Sequence, residues 1–500
     1  MNLSQSPSVL NVSGTAQGKL NDMANYLATS PVATGFKDEL QTFTFGGDAS
    51  LQVDITESFA SKTPTKVVAD LNLTNNLITW KEIPSGLVNK GRLIIDETSY
   101  RTIDLQGNWL GGPINIKNNL STKGVLDIFG EIESSRLIEL LPKDGLLTPD
   151  SLRKKWQGPV NYQGSINKNV NRTLVNFNVD LKQLSVDLPD PIYKKSGNSS
   201  LGFIQVNIPS SSNSPNLTTT STGIDWQIKL GDLIHSIGTY KDRRVEKHGL
   251  TIGNLTPVLP SKGLSIQFDT PSINLDAWSE LIKTTQKSSE ITAVATDEAT
   301  GKIEGQVKTL LLANHKFENI GLKAERINGQ WLANLISPSV EGTVRFQDKN
   351  ADSPTGAIEA NFIKLQIPNP EMPVVKSGAQ VTAIGNNSTA SPLPSLDLKI
   401  DQLIIGNTKL GELKLKALGK PQNWNIESFT IKNRFANLNG SGQWQKTSIG
   451  SGQTSLQVEI TTPDGGALLK ELGYAKVMSN GEGSLKGNLL WQGPPHDFNK

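Results

Sequence analysis

The chain has 500 residues, with 49 Lys plus Arg against 47 Asp plus Glu and a net charge of +2, a balance that excludes the dominant basic stripe of a nucleic-acid binder. Cysteine is absent, which removes thiolate nucleophiles, disulfides and zinc–thiolate centres and suits an oxidising compartment such as a periplasm. Charged residues make up 19%, below the roughly 25% of average globular domains, and Asn, Ser, Thr and Gln take their place, as in long β proteins.

In chain order, polar NLSQSPS follows Met1 without a basic or apolar leader region. The longest apolar runs, at 137–141 and 310–313, fall well short of the ~18 residues of a bilayer span. Short helices are expected at 19–27 (KLNDMANYL), 133–141, 274–282 and 463–472, with Asp276 and Asp464 as N-caps. Between them the pattern is β. Val175, Phe177, Val179 and Leu181 alternate with polar residues, as do Leu264, Ile266 and Phe268. Leu396, Leu398 and Ile400 fall on one face of a strand, and Leu413, Leu415 and Ala417 on one face of another. Asp397, Lys399, Glu412, Lys414 and Lys416 fall opposite, so the sheet has one greasy side and one wet side. Surface connections are expected at 209–223, 283–300, 368–394 and 445–452. At about 12 residues per strand and turn the chain would hold roughly 40 strands. We divide it into a β-groove region at 1–285, a β-rich continuation at 286–375 and a C-terminal β region at 376–500.

Motifs that could carry chemistry have plainer readings. Asp348, Asn350, Asp352 and Glu359 stand at positions 1, 3, 5 and 12 of a calcium loop, but Ser353 replaces the turn glycine and both flanks alternate as strands, which favours a hairpin. The four histidines, 235, 248, 315 and 496, are scattered without metal-ligand spacing. Asp187 and Asp190 in VDLPDP read as strand-end turn chemistry before a glycosidase pair. Gly481, Gly483 and Gly487 lack the Lys-Ser/Thr of a phosphate loop and lie where Leu485, Leu489 and Trp491 mark a strand. The tryptophans read as packing residues, one or two of them capping a groove mouth. No catalytic residue, metal or cofactor is expected.

The segments SLDLKIDQLIIGNTKLGELKLKA (395–417), ALLKELGYAKVMSNGEGSLKGNLLWQGPPHDF (467–498), GLSIQFDTPSINLDAWSELI (263–282), YLATSPVATGFKDEL (26–40) and NNLITWKEIPSGLVNKGRLIIDE (75–97) carry a likeness to a known family. The chain resembles the YhdP branch of the AsmA-like proteins, relatives of TamB. The resemblance implies a mainly β fold: a long, curled antiparallel sheet, taco-like, with an open apolar groove and a few short lateral helices. It further implies a fragment, truncated at Lys500, of a periplasmic protein anchored in the inner membrane of a Gram-negative bacterium. Its function would be conducting glycerophospholipids from the inner to the outer membrane, with phospholipid as partner, no nucleic acid, and no enzymatic activity.

Elementary energetics make such a groove useful. At ~0.8 kcal/mol per CH₂, drawing two 16-carbon chains into water costs on the order of 25 kcal/mol. An apolar trough removes that barrier but supplies no direction. Val175, Phe177, Val179, Leu181, Leu264, Ile266, Phe268, Leu396, Leu398, Ile400, Leu413 and Leu415 are the candidate groove residues. The alternative is a structural or adhesin-like β-solenoid without lipid cargo, whose interior would be filled by its own side chains; the long, unevenly spaced strands favour the groove over its tight rungs.

Overall fold

The computed structural model describes residues 9–29, 43–59, 65–80, 83–96, 100–122, 124–137, 139, 152–169, 172–209, 223–242, 244–285, 300–350, 353–370, 393–446, 452–471, 474 and 480–495. Most of the expected connections, Asp352, His496 and most of 138–141 lie outside them. The chain forms two compact units, Met1–Leu259 with Leu281–Ile291, and Pro260–Glu280 with Thr292–Lys500.

The first unit contains β1 (Val9–Lys19), α1 (Leu20–Thr29), β2 (Phe43–Gly46), β3 (Asp48–Ser58), β4 (Lys66–Trp80), β5 (Ile83–Ile95), β6 (Tyr100–Trp109), β7 (Gly112–Asn118) and β8 (Val125–Glu133). There follow α2 (Ser134–Leu137), β9 (Trp156–Gln157), β10 (Pro159–Lys168), β11 (Arg172–Asp180), β12 (Ser185–Val186), β13 (Leu201–Pro209), β14 (Ile224–Leu230), β15 (Ile234–Lys241) and β16 (Arg244–Ile252). Pairing is antiparallel throughout. It runs β1, β3, β4, β5, β6, β7, β8, β10, β11, β13, β14, β15, β16. β2 adds to the far end of β4, and β9 pairs with β12 in a small separate ribbon. Where β4 changes partner from β3 to β2, Asn75 takes a φ of 56°. The fully buried Asn76 amide beside it donates to Gly46 O and Asp48 O and accepts from Thr74 N–H, so its side chain meets three backbone groups at the switch.

The second unit contains β17 (Gly263–Asn274), α3 (Leu275–Thr285), β18 (Gly301–Leu312), β19 (His315–Ile327), β20 (Gln330–Ile336), β21 (Val340–Gln347), β22 (Ala357–Ile367) and β23 (Ser395–Ile405). It continues with β24 (Thr408–Gly419), β25 (Asn423–Lys432), β26 (Asn437–Gln445), β27 (Gln453–Thr462), α4 (Gly465–Glu471) and β28 (Gly483–Gln492). Each strand pairs with its neighbour in sequence.

The mainly β class and the four helices agree with the sequence; two details do not. The sheet is mixed, because β17 and β18 are parallel and so are β22 and β23. At both places the connection returns to the starting end of the sheet before the next strand begins, which a parallel pair requires. The described strands also number 28, fewer than forty, because many are long: β4 has 15 residues and β5 and β19 have 13 each.

Asp464 caps α4 as expected, accepting the Ala467 N–H at 3.0 Å. Asp276 does not cap α3. Asn274 takes that role, accepting from Ala277 N–H at 2.9 Å. The Asp276 carboxylate instead accepts the N–H groups of Ala313 and Asn314 at 2.7 and 2.9 Å. Both residues have positive φ in the tight turn between β18 and β19, so the carboxylate pins α3 to that turn.

Candidate functional site

Strand register builds the apolar face. In the second unit Ile266, Ile303, Ala324, Ala333, Val344, Ala360, Leu398, Leu415, Phe429, Gly440, Val458 and Gly487 stand side by side from β17 to β28. All twelve are apolar. The wet side is its complement: Lys399 stands opposite Lys414 and Asp397 opposite Lys416, all exposed. Glu412 lies beside Lys414, whose ammonium, by hydrogen bond and charge, holds that carboxyl below its usual range. In the first unit a corresponding row runs Ile128, Gly164, Phe177, Ile204, Ile228, Ser236 and Leu250.

Eleven of the twelve candidate groove residues lie in strands on these apolar faces; Leu181 follows β11 and its N–H bonds to Ser200 O. Burial divides the set. Val179, Leu181, Phe268 and Ile400 are buried, whereas Val175, Phe177, Leu264, Ile266, Leu396, Leu398, Leu413 and Leu415 are half-buried and keep part of their surface open. Ile400 is 1% exposed, so its side chain is covered on this face.

Glycine opposite an aromatic ring recurs on the same faces. Tyr162 lies across from Gly130, Phe177 from Gly164, Trp226 from Gly238, Phe268 from Gly305, Phe362 from Gly342 and Phe429 from Gly440. At each glycine a Cβ would run into the ring. The missing side chain lets the ring lie down over the neighbouring backbone, which covers a strand that has no side chain of its own there. Sequence alone does not show this, since the two members of each pair are brought together only by register.

Several tryptophans tie neighbouring segments of the sheet together. Trp424 and Trp444 face each other across β25 and β26, 7% and 1% exposed, in a cluster with Ala417 and Ile426. Indole N–H groups of Trp109, Trp424 and Trp491 donate to the carbonyls of Pro84, Pro394 and Pro494. At the other end of the chain, α1 lies on the apolar face itself. Leu20, Met23 and Leu27 pack on Ala49, Leu51, Leu71 and Leu73, and a cavity of about 580 Å³ lies between α1 and β1, bordered by Ala16, Met23, Tyr26 and Val53.

Polar groups on the face are few and distinct. Ser236 bonds His248 Nε2 at 3.0 Å and accepts from Trp226 Nε1–H at 3.1 Å; burial pushes the His248 imidazole below its usual pKa. Tyr162 is 7% exposed, its hydroxyl has no partner, and burial pushes its pKa up to about 12. The folded state therefore resists ionisation that the unfolded chain undergoes from about pH 10. Tyr162 costs stability as pH rises from 10 toward 12. Tyr162→Phe is expected to leave stability at pH 7 unchanged or raised by about 1 kcal/mol, since an unsatisfied buried hydroxyl is removed, and to gain over the wild type at pH 11; urea unfolding at the two pH values checks both.

The calcium arrangement does not form among the described residues. Asp348 bonds Arg326 at 2.7 Å, Glu359 bonds Arg345 at 2.7 Å from the wet side, and Asn350 Oδ1 accepts the Ser353 N–H of its own turn. This is the hairpin favoured above, between β21 and β22. Asp187 is held by Lys155 at 2.8 Å, and Gly483 and Gly487 are strand residues of β28. No group of three or more His, Asp or Glu able to hold a metal occurs among the described residues, and no described helix is long and apolar enough to cross a membrane.

No curated protein and no solved structure matches the chain. A family model does: the one described as YhdP protein matches residues 1–500, the whole sequence, and the chain belongs to the YhdP family.

Proposed function

We propose that the apolar face conducts glycerophospholipids, with acyl chains lying along the rows and polar heads toward water. The observation that carries this reading is the unbroken apolar row across β17 to β28, with half-buried Leu398 and Leu415 on it and half-buried Leu396 and Leu413 beside them on the same face. Where the protein fills this side itself, under α1, Leu51, Leu71 and Leu73 are only 4–5% exposed. The contrast weighs against a self-filled solenoid or adhesin. Membership of the family supports the same reading, as does the absence of cysteine for a periplasmic site of action. Lipid would pass from inner to outer membrane, with the full-length protein anchored in the inner one. The chain would act as a conduit and not as an enzyme: sliding along a uniform apolar floor is close to isoenergetic, so direction comes from the lipid's source and sink.

A photo-crosslinking residue at position 398 or at position 399, in the protein made in cells, tests the reading. Lipid adducts are expected at 398 and not at 399, which points the other way. Equal labelling at the two positions would refute the conduit.

A further inference from the structure

In the row Gly301, Arg326, Trp331, Phe346, Ile358, Leu396, one member is charged. Arg326 stands at the end of β19 on the apolar side, between Gly301 and Trp331, and the Trp331 ring reaches across to Gly301. Its side chain is only 16% exposed. Nη2 donates to Asp348 Oδ2 at 2.7 Å, while Nε is buried with no hydrogen-bond partner. A guanidinium has five N–H donors, and the single bond to Asp348 leaves its outer nitrogens with donors to spare for an acceptor that a ligand brings. Asp348 is 42% exposed, open to a donor from solvent or from a ligand.

Resting on the conduit reading, we propose that Arg326 and Asp348 form a station for the headgroup of a phosphoethanolamine lipid. The guanidinium takes the phosphate, as guanidinium geometry favours, the carboxylate takes the ammonium, and the acyl chains run onto Phe346 and Ile358. The station matches a zwitterion because it is one. An anionic glycerol headgroup would set its phosphate beside Asp348 with no ammonium to offset it, and a choline headgroup has no N–H to give that carboxylate.

The test uses p-benzoylphenylalanine at Phe346, beside the station, and at Phe429, on the same face but in another row. The purified protein is exposed to vesicles of equal parts phosphatidylethanolamine, phosphatidylglycerol and phosphatidylcholine, and adducts are identified by mass. At 346 the ethanolamine lipid is expected to exceed the other two by about tenfold, equivalent to about 1.4 kcal/mol; at 429 the three should label alike. Arg326→Gln should lower the ethanolamine adduct at 346 about tenfold and leave 429 unchanged, Arg326→Lys should retain part of it, and Asp348→Asn should abolish the preference for ethanolamine over glycerol. Equal labelling by the three lipids at 346, or no effect of Arg326→Gln there, overturns the station while the conduit stands. Labelling at neither position overturns both. If Arg326→Gln lowers 346 and 429 together, the residue is structural in that variant and Asp348→Asn decides: an unchanged lipid preference rejects the station. Millimolar inorganic phosphate should not displace the lipid, and full displacement would make this a site for free anion.

Discussion

Leu398→Asp is expected to lower lipid labelling on the apolar face by more than tenfold while the sheet stays folded. Leu398 and Leu415 are direct cross-strand partners, both half-buried. A carboxylate there would meet acyl chains with no partner, at a cost of several kcal/mol to any lipid that passes. Without lipid the same carboxylate reaches water, since the position is not sealed. Leu415→Lys should do the same with the opposite sign of charge. The control is Lys399→Asp. Lys399 stands opposite Lys414, and like charges directly opposite destabilise a sheet, so this variant should fold at least as well as the wild type and carry lipid normally. Ile400→Asp should differ from all three: at 1% exposure the charge cannot reach water, and unfolding should precede any transport defect. Lipid adduct yield read beside circular dichroism separates these outcomes. Normal labelling in Leu398→Asp would reject this face as the path.

Gly440→Ala is expected to destabilise the second unit by about 1–3 kcal/mol, the usual cost of overpacking, and Gly487→Ala by nearly nothing. The two glycines occupy the same row, on either side of Val458. They differ in what lies above them. A Cβ at Gly440 would run into the Phe429 ring, whereas at Gly487 there is nothing within 4 Å. Thermal or urea unfolding of both variants reads the difference directly. Equal effects would mean that the ring above the glycine is incidental to the packing of the face.

Period-2 alternation was enough to find the strands and their two sides, because a half-exposed sheet must write its two environments into alternate residues. Leu398 and Lys399 sort correctly for that reason alone. The four helices were legible from breaks in the alternation, yet only one of two caps was. Asp276 and Asn274 are both good cap residues two positions apart, and the choice between them is decided by the β18–β19 turn, 37 residues away, whose N–H groups claim the aspartate. The connections expected at 283–300 and 368–394 lie largely outside the described residues, and the first overlaps the end of α3 at Thr285. That each returns the chain to the same end of the sheet and makes a parallel pair is a fact about three-dimensional path, which composition does not carry. Arg326 escaped notice for a similar reason: in GLKAERI it looks like one more charge on an amphipathic strand, and only the pairing of β19 with β20 puts it in the row with Trp331. The Asp348 loop shows the converse. Its spacing matched a metal site, but spacing along a hairpin sends Asp348 and Glu359 to separate arginines.

The stepwise pairing of β18 through β22, and again of β23 through β28, has a kinetic consequence. Every strand in these runs is joined to the one just before it in sequence, so each contact up to β27 closes a short loop and little chain entropy is lost at each step, while β28 joins across a longer connection that carries α4. Hairpins can therefore add one after another from either end, and neighbours beyond the next strand contribute little, as in linear repeat proteins. The parallel joins between β17 and β18 and between β22 and β23 interrupt that sequence, because each must bring together strands separated by 26 and 27 intervening residues. They are the slow steps and the natural seams of cooperativity. Under denaturant, hydrogen exchange should show β18–β22 and β23–β28 opening as separate blocks, each losing protection at its own midpoint, so that a lesion such as Gly440→Ala loosens the block containing β26 and leaves β18–β22 protected.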